Sequence, residues 1–212
     1  MDFGVPAGSN RGNIVEHPDD RSMTAAATPP TRYTRTAMVL HWIIALLMIA
    51  NVAMILSVDH LPDDWVRPAV DTHKSIGITV LGLALLRILW RMAHAAPPLP
   101  VAYPRWERGI AHAVHILLYL AMLWMPMTGW LHDSAWKDAA THPMYWFGTF
   151  EWPRLEWITS VPAKPREMLH DVFGWMHTGG AYVLYGLVFL HVAGALKHQF
   201  FDKEKVLKRM FS

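Results

Sequence analysis

Apolar residues in this chain are gathered into four blocks, with polar connections between them. Each block is close to the ~20 residues that an α-helix needs to cross the hydrocarbon layer of a bilayer. The pattern predicts an all-α fold, an integral membrane four-helix bundle formed by residues 32–212. Residues 1–31 are rich in Pro, Asn, Asp, Ser and Ala and are predicted to form a mobile polar tail. The predicted spans are residues 37–58, 73–92, 110–131 and 172–196.

The composition agrees with a membrane protein. Hydrophobic residues make up 53% of the chain and charged residues only 17%, which is unusual for a soluble domain of this length. Cysteine is absent, and this excludes disulfides, thiolate metal sites, cysteine-ligated iron–sulfur clusters and c-type haem attachment. The lipid bilayer is the expected surrounding, and no nucleic-acid partner is expected.

The charged residues outside the spans predict the orientation. Basic residues dominate before span one, between spans two and three, and after span four, whereas acidic residues dominate the other two connections. By the positive-inside rule the basic segments and both termini are cytoplasmic. The chain is therefore predicted to be a multi-pass membrane protein with both termini in the cytoplasm. The basic residues are Arg32, Arg35, Arg91, Arg105, Arg108, Lys197, Lys203, Lys205, Lys208 and Arg209.

The third connection, residues 132–171, is long and rich in aromatic residues. Trp and Tyr side chains prefer the interface between membrane and water. This connection is therefore predicted to lie on the bilayer rather than to form a separate domain.

Histidine inside a span is costly unless it has a partner, so each one is a functional candidate. His41 and His191 lie near the cytoplasmic side, while His73 and His177 lie near the periplasmic side. His177 and His191 project from one side of the same helix, roughly 21 Å apart along its axis. Depth sorts the four into two pairs, and each pair can clamp one haem. The alternatives are interhelical hydrogen bonding and the binding of other metals such as zinc or copper.

Four sequence runs carry a resemblance to a known family. They are LHW at His41, HKSIGITVLGLALLRILWR from His73, AHAVHILLYLAMLWMPMTGWL in span three, and HTGGAYVLYGLVFLHVAGALKHQF from His177. With these runs in order over roughly residues 32–210, the chain resembles the prokaryotic cytochrome b561 family. The resemblance implies a four-helix bundle with two b-type haems, ligated by His41, His73, His177 and His191.

Four further polar side chains are candidate cofactor-binding residues. Arg87 is predicted at the depth of the cytoplasmic haem, where its guanidinium can neutralise a propionate, and Arg91 lies one turn further out. Lys74 can attract a propionate or another anion on the periplasmic side. His198, at the membrane surface, can serve a propionate or a proton path. The alternative for both arginines and for Lys74 is that they only extend to the membrane interface.

Three other histidines leave alternatives open. His170 competes with His177, since it lies seven residues earlier on nearly the same helix face. His177 is preferred because its distance to His191 matches the spacing in the family that the chain resembles. His112 and His115 share one face of span three. They are predicted to lie beside the ligands or at a quinone site.

The expected chemistry is one-electron transfer, because histidine on both sides of a haem iron leaves no position for dioxygen. The resemblance implies transfer between a periplasmic-side donor, which includes superoxide in some members, and membrane ubiquinone. Acidic outer connections would repel superoxide unless a basic patch of Lys74, Lys164 and Arg166 outweighs them. One alternative is a non-catalytic electron-transfer subunit that docks a dehydrogenase or a periplasmic redox protein. The other is a haem-free transporter or structural membrane protein.

Overall fold

A computed structural model describes residues 32–94, 96–98 and 103–202, together with Met1 and Met210. Residues 2–31 of the predicted tail and residues 203–209, which include the basic residues Lys203, Lys205, Lys208 and Arg209, lie outside the described residues. The long helices are α1 Arg35–Ser57, α2 Asp63–Ala93, α3 Arg105–Ser134 and α5 Ala163–Phe200. The short elements are a 3₁₀ turn Val58–His60, strands β1 Tyr145–Trp146 and β2 Phe150–Glu151, and helix α4 Glu156–Thr159.

The helices extend beyond the predicted apolar spans. Helices α2, α3 and α5 each begin directly after a proline, at Pro62, Pro104 and Pro162. Proline suits such a position because its φ is fixed and it has no N–H to leave unpaired. Consequently α2 begins at Asp63 rather than at residue 73, and α5 at Ala163 rather than at residue 172. The hydropathy pattern marked only the part of each helix that is apolar enough to lie in the membrane.

The outward faces of the bundle are apolar. All four long helices are long and apolar enough to cross a bilayer. Large side chains such as Leu46, Leu89 and Phe189 are 64%, 63% and 71% exposed. Such surfaces suit lipid, where association relies on packing rather than on the hydrophobic effect. The predicted membrane four-helix bundle is confirmed.

The four long helices do not pack equally against one another. Helix α3 packs along α5, α1 along α2, and α2 along α3, whereas α1 and α5 do not pack along each other. A small core of Ile44, Ile76 and Val80 joins α1 to α2. Between α3 and α5 the approach is close at Gly180, where an added Cβ would lie 3.0 Å from the Trp124 side chain. His41 of α1 and His191 of α5 project into the gap between these two helices.

The third connection contains a two-stranded antiparallel hairpin that the apolar pattern did not predict. Trp146 pairs with Phe150 in it. The hairpin packs against the side of α2 rather than only on top of the bundle. Ser75 Oγ donates to the Tyr145 carbonyl at 3.3 Å and accepts from Phe147 N at 3.0 Å. These bonds form because Ser75, a short hydroxyl side chain on α2, leaves room for backbone to approach.

Candidate functional site

The first histidine pair, called the inner pair, is formed by α1 and α5. His41 and His191 face each other with ring centroids 6.1 Å apart and ring planes at 73°. The ring of His115 on α3 stands 5.0 Å from that of His191, at 90°. His115 therefore borders this inner pair edge-on, while His112 bonds back to the Arg108 carbonyl of its own helix.

The second histidine pair, called the outer pair, is formed by α2 and α5. His73 and His177 have ring centroids 6.1 Å apart and ring planes at 88°. His73 Nδ1 lies 3.4 Å from the Asn51 carbonyl oxygen of α1. This outer pair and the inner pair thus have the same ring separation at two depths of one bundle.

The separation of the rings fits two ligands on one metal ion. An imidazole nitrogen binds a transition-metal ion at about 2.0–2.1 Å. The ring centre lies roughly 1.1 Å behind that nitrogen, so opposed rings on one ion have centroids roughly 6.3 Å apart. Both observed pairs are within 0.2 Å of this value. Crossed ring planes are compatible with it, because opposed ligands can rotate about their common axis.

A large cavity surrounds the outer pair. Its volume is about 740 Å³, within the range of sites that hold large organic ligands. Gly77, one turn beyond His73, borders the cavity, and a side chain at this position would enter open space. The Asn51 Oδ1 atom, another part of the wall, is buried without a hydrogen-bond partner among the described residues. The residues present therefore fit a planar metal-bearing group held between the two rings.

Met125, Thr128 and Gly129 of helix α3 form a socket for the ring of His177. His177 Nδ1 lies 3.0 Å from the Met125 carbonyl oxygen and 3.1 Å from Thr128 Oγ1. A proton on Nδ1 donates to these oxygens and leaves Nε2 free to bind a metal. Gly129 makes room for the ring, since an added Cβ would lie 3.2 Å from His177 Cε1. The sequence gives no signal for this socket, because Met125 contributes only a backbone oxygen.

His170 does not face His73. Its ring packs against that of His132, with centroids 3.9 Å apart and ring planes at 36°, and His132 Nδ1 lies 2.9 Å from the His170 carbonyl oxygen. His132 in turn occupies space that Gly174 leaves free, where an added Cβ would lie 2.8 Å from the ring. Of the two competing histidines, the structure brings His177 to His73.

Arg87 lies near the inner pair, as predicted from its position on α2. Its Nη1 atom donates to the Ala37 carbonyl at 2.7 Å, one turn before His41. Its guanidinium carbon is 6.0 Å from the Tyr119 ring centre. Arg87 and Arg91 both line a small cleft near the C-terminal end of α2. Both guanidinium groups are thus on the side where the inner pair lies.

Lys74 belongs to a buried ion network rather than projecting freely. Its Nζ lies 2.7 Å from one oxygen of Asp133 and 3.4 Å from Asp71. The other Asp133 oxygen accepts from Arg154 Nε at 2.9 Å, and Asp133 is only 5% exposed. Two cations thus surround one buried carboxylate, as such burial requires. The network ties the third connection to α2 and α3.

His198 is part of a surface clasp between α3 and α5. Its Nδ1 donates to Asp202 at 2.6 Å, and its ring stacks on Tyr103 at 4.1 Å. This hydrogen bond from His198 lowers the pKa of Asp202. Lys197 Nζ bridges Glu107 and Asp202, at 2.8 Å and 3.2 Å. The structure does not bring His198 to either ring pair.

Comparison with known proteins relates this arrangement to a family. The family model for prokaryotic cytochrome b561 matches residues 32–212. The chain belongs to the prokaryotic cytochrome b561 family. Family members are membrane proteins of electron transfer, and membership implies b-type haem as the cofactor. The predicted family is confirmed.

This chain aligns with nearly the whole length of three relatives. Cytochrome b561 homolog 2 of Escherichia coli (strain K12) is 33% identical over 184 residues, which are 85% of this chain and 92% of that protein. Cytochrome b561 homolog 1 of the same organism is 24% identical over 181 residues, or 84% and 96%. The probable superoxide oxidase CybB of Yersinia pestis is 25% identical over 179 residues, or 84% and 95%.

Proposed function

We propose that this cytochrome b561 family member is a dihaem protein of the bacterial inner membrane that passes electrons between a periplasmic-side donor and ubiquinone. The observation that carries the proposal is the presence of two histidine pairs with the same ring separation, 6.1 Å, at two depths. His191 and His177, which supply one member of each pair, are roughly 21 Å apart along α5. That distance spans most of a hydrocarbon layer about 30 Å thick.

The proposed roles follow from the contacts of each residue. A haem held between two histidines exchanges single electrons and offers no position for dioxygen. His41 and His191 would hold the inner haem, and His73 and His177 the outer one. Arg87 supplies a positive charge beside the inner pair, where a propionate needs one.

The contacts of the other candidate residues support their proposed roles less directly. Arg91 shares the cleft of Arg87 and is assigned to the same propionate region. Lys74 borders the outer cavity. Because Lys74 is already paired with Asp133, a propionate would share the lysine charge with that carboxylate. His198 is engaged by Asp202 at the surface and is assigned to proton exchange rather than to haem.

The name of the Yersinia pestis relative indicates superoxide as its electron donor. We propose superoxide as the electron donor of this chain as well. A second candidate, an electron-transfer subunit that docks a redox protein, is favoured by the charges on the periplasmic side. Arg67, Lys74 and Arg154 there are each paired with Asp71 or Asp133. Paired cations attract a small anion weakly, so a free superoxide ion gains little from them.

Haem stoichiometry tests the central proposal. The purified protein should show a b-type reduced-minus-oxidised spectrum, and a pyridine haemochrome assay should report two extractable haems per chain. His112→Ala is a matched control, because His112 bonds to its own helix and lies in neither pair; it should keep both haems. One haem per wild-type chain would contradict the pairing.

The donor is tested on the same preparation. With superoxide as the sole donor, the isolated chain should reduce ubiquinone if it is a superoxide-linked oxidoreductase. If it reduces quinone only when a periplasmic redox protein or a dehydrogenase is added, the electron-transfer subunit is the correct function.

The proposed orientation, with both termini cytoplasmic, has its own test. A reporter that works only in the cytoplasm, fused after Ser212, should be active. Alkaline phosphatase activity from the same fusion point would show that the C-terminus is periplasmic and would reverse the assignment of the two pairs to membrane sides.

A further inference from the structure

The turn of the hairpin has a backbone conformation that its first central residue does not favour. Phe147 has φ 45° and Gly148 has φ 69°. Positive φ at both central residues is typical of a type I′ turn, in which Asn, Asp or Gly normally occupies the first of them. A bulky residue in this region is strained, and strain of this kind is retained where the side chain has a task. An aromatic side chain at this tip therefore needs an explanation.

The hairpin lies at membrane depth. Its bonds to α2 are made by Ser75 and by Thr79, whose Oγ1 accepts from Trp146 Nε1 at 3.1 Å. These residues lie roughly 3 and 9 Å further along α2 than His73, toward the middle of the bundle. His73 is level with Asn51 of α1, and α1 continues outward for about 9 Å more, to Ser57. The tip is thus roughly 12 Å below the end of α1, within one leaflet of a hydrocarbon layer about 30 Å thick.

The tip has the surface of a lipid-facing segment. Tyr145, Phe147 and Phe150 are 44%, 48% and 49% exposed, and no charged residue lies between Tyr145 and Phe150. Along the sequence, the nearest charge is Glu151, at the start of the segment that returns toward Arg154 and the ion network.

The backbone of the hairpin is suited to a medium without water. Irregular backbone at membrane depth must find partners inside the protein. Thr149 N donates to the Trp146 carbonyl at 3.0 Å, and Trp152 N donates to the Met144 carbonyl at 2.8 Å. Ser75 bonds to Tyr145 and Phe147 on the α2 face, as described above. Met144, directly before the hairpin, is buried and lines the cavity of the outer histidine pair, so the start of the hairpin is anchored at the wall of that cavity.

We propose that Tyr145–Glu151 is a re-entrant hairpin whose aromatic tip inserts into the leaflet on the His73 side and contacts lipid acyl chains. By the orientation given above, that leaflet is periplasmic. The strained Phe147 is retained because it places a half-exposed apolar ring at the turn. This inference does not depend on the number of haems or on the electron donor. A soluble protein docked on a water-exposed tip is the competing arrangement.

Spin labelling in liposomes tests the depth of the tip directly, since the chain has no native cysteine to remove. Full-length chains that carry the single substitution Phe147→Cys or Phe150→Cys are spin-labelled and reconstituted into liposomes. Collision with oxygen, which concentrates in lipid, is compared with collision with a water-soluble nickel complex. Leu46→Cys, in the middle of α1 and 64% exposed, is the lipid control, and Lys137→Cys, exposed in the third connection, is the water control. Circular dichroism first checks that each labelled chain keeps its helix content.

We expect both tip labels to behave like the label at Leu46, with frequent oxygen and rare nickel collisions. A label at Phe150 that collides with nickel as often as the label at Lys137 does would overturn the proposal. Phe150 decides the outcome if the two sites differ, because its φ is not in the strained region.

Discussion

The outer and inner histidine pairs have the same ring separation but are held in different ways. In the outer pair, His177 is fixed by hydrogen bonds to Met125 and Thr128 and by the space at Gly129. In the inner pair, the rings of His41 and His191 make no hydrogen bond within the described residues, and ring packing holds them.

The surroundings of the two pairs differ as well. A buried ion network and the hairpin cover the outer side, whereas the inner side is closed by an exposed clasp at the surface. Because a hydrogen bond on Nδ1 makes the opposite nitrogen a stronger ligand, the outer pair should favour the oxidised metal more than the inner pair does. One bundle can thus give two similar sites different potentials.

Removing a ligand is expected to have the largest effect. His41→Ala and His191→Ala should each lose or convert the inner haem, while His73→Ala and His177→Ala should each affect the outer one. Redox titration of the four variants should therefore give two classes, with one haem signal changed in each. His41 sharing a phenotype with His73 would disprove the pairing. Loss of a haem in His170→Ala, with both retained in His177→Ala, would disprove the choice of His177.

Filling the socket should have a large effect on the outer site alone. Gly129→Val would place carbon atoms against the His177 ring and rotate it away from His73. We expect haem affinity at the outer site to fall roughly 10–100-fold, as for disturbed supporting contacts of other metal ligands. The haem-to-protein ratio after purification measures this. Gly186→Val is the control, because a Cβ at Gly186 meets no neighbour within 4 Å; equal losses in both variants would rule out a specific socket.

Removing one hydrogen-bond partner should shift a potential without loss of haem. Thr128→Val deletes the hydroxyl 3.1 Å from His177 Nδ1. A net hydrogen bond of about 0.5–1.5 kcal/mol corresponds to roughly 20–60 mV for a one-electron couple. The outer haem potential should rise by this amount, because the weakened ligand stabilises the oxidised iron less. The inner haem of the same protein is the internal control, and an equal shift there would mean that Thr128 acts on the whole bundle.

The smallest effect is expected at the clasp on the inner side. The hydrogen bond from His198 lowers the pKa of Asp202 in the folded chain. Its contribution to stability is therefore present above the unfolded-state pKa, about 3.9, and is lost as the pH falls through the lower folded value. Asp202→Asn should melt slightly earlier than wild type at pH 7, and this difference in Tm should shrink near pH 3. A difference that stays constant with pH would show that the carboxylate charge does not matter.

Local chemistry explains why some parts of the fold could be predicted and others could not. The apolar blocks predicted four spans because a bilayer demands about 20 apolar residues in succession. The prolines at 62, 104 and 162 are a local signal for the true helix starts that the hydropathy pattern does not include. The hairpin had no such signal, since its first turn residue is Phe147 rather than Asn or Gly.

By itself, the sequence determined the class of the protein, its spans and which histidines lie at matching depth. The reason is that a helix rises by a fixed distance per residue, so the position of a residue in a span gives its depth in the membrane. The matched residues do lie face to face, and their role as haem ligands stays a prediction. Only the tertiary structure decided that His170 turns to His132, that Lys74 is engaged by Asp133, and that α3 carries the socket for His177. These outcomes depend on contacts between side chains and backbone atoms of different helices. Helical periodicity specifies the depth of such atoms, but the rotation and approach of neighbouring helices decide which of them meet.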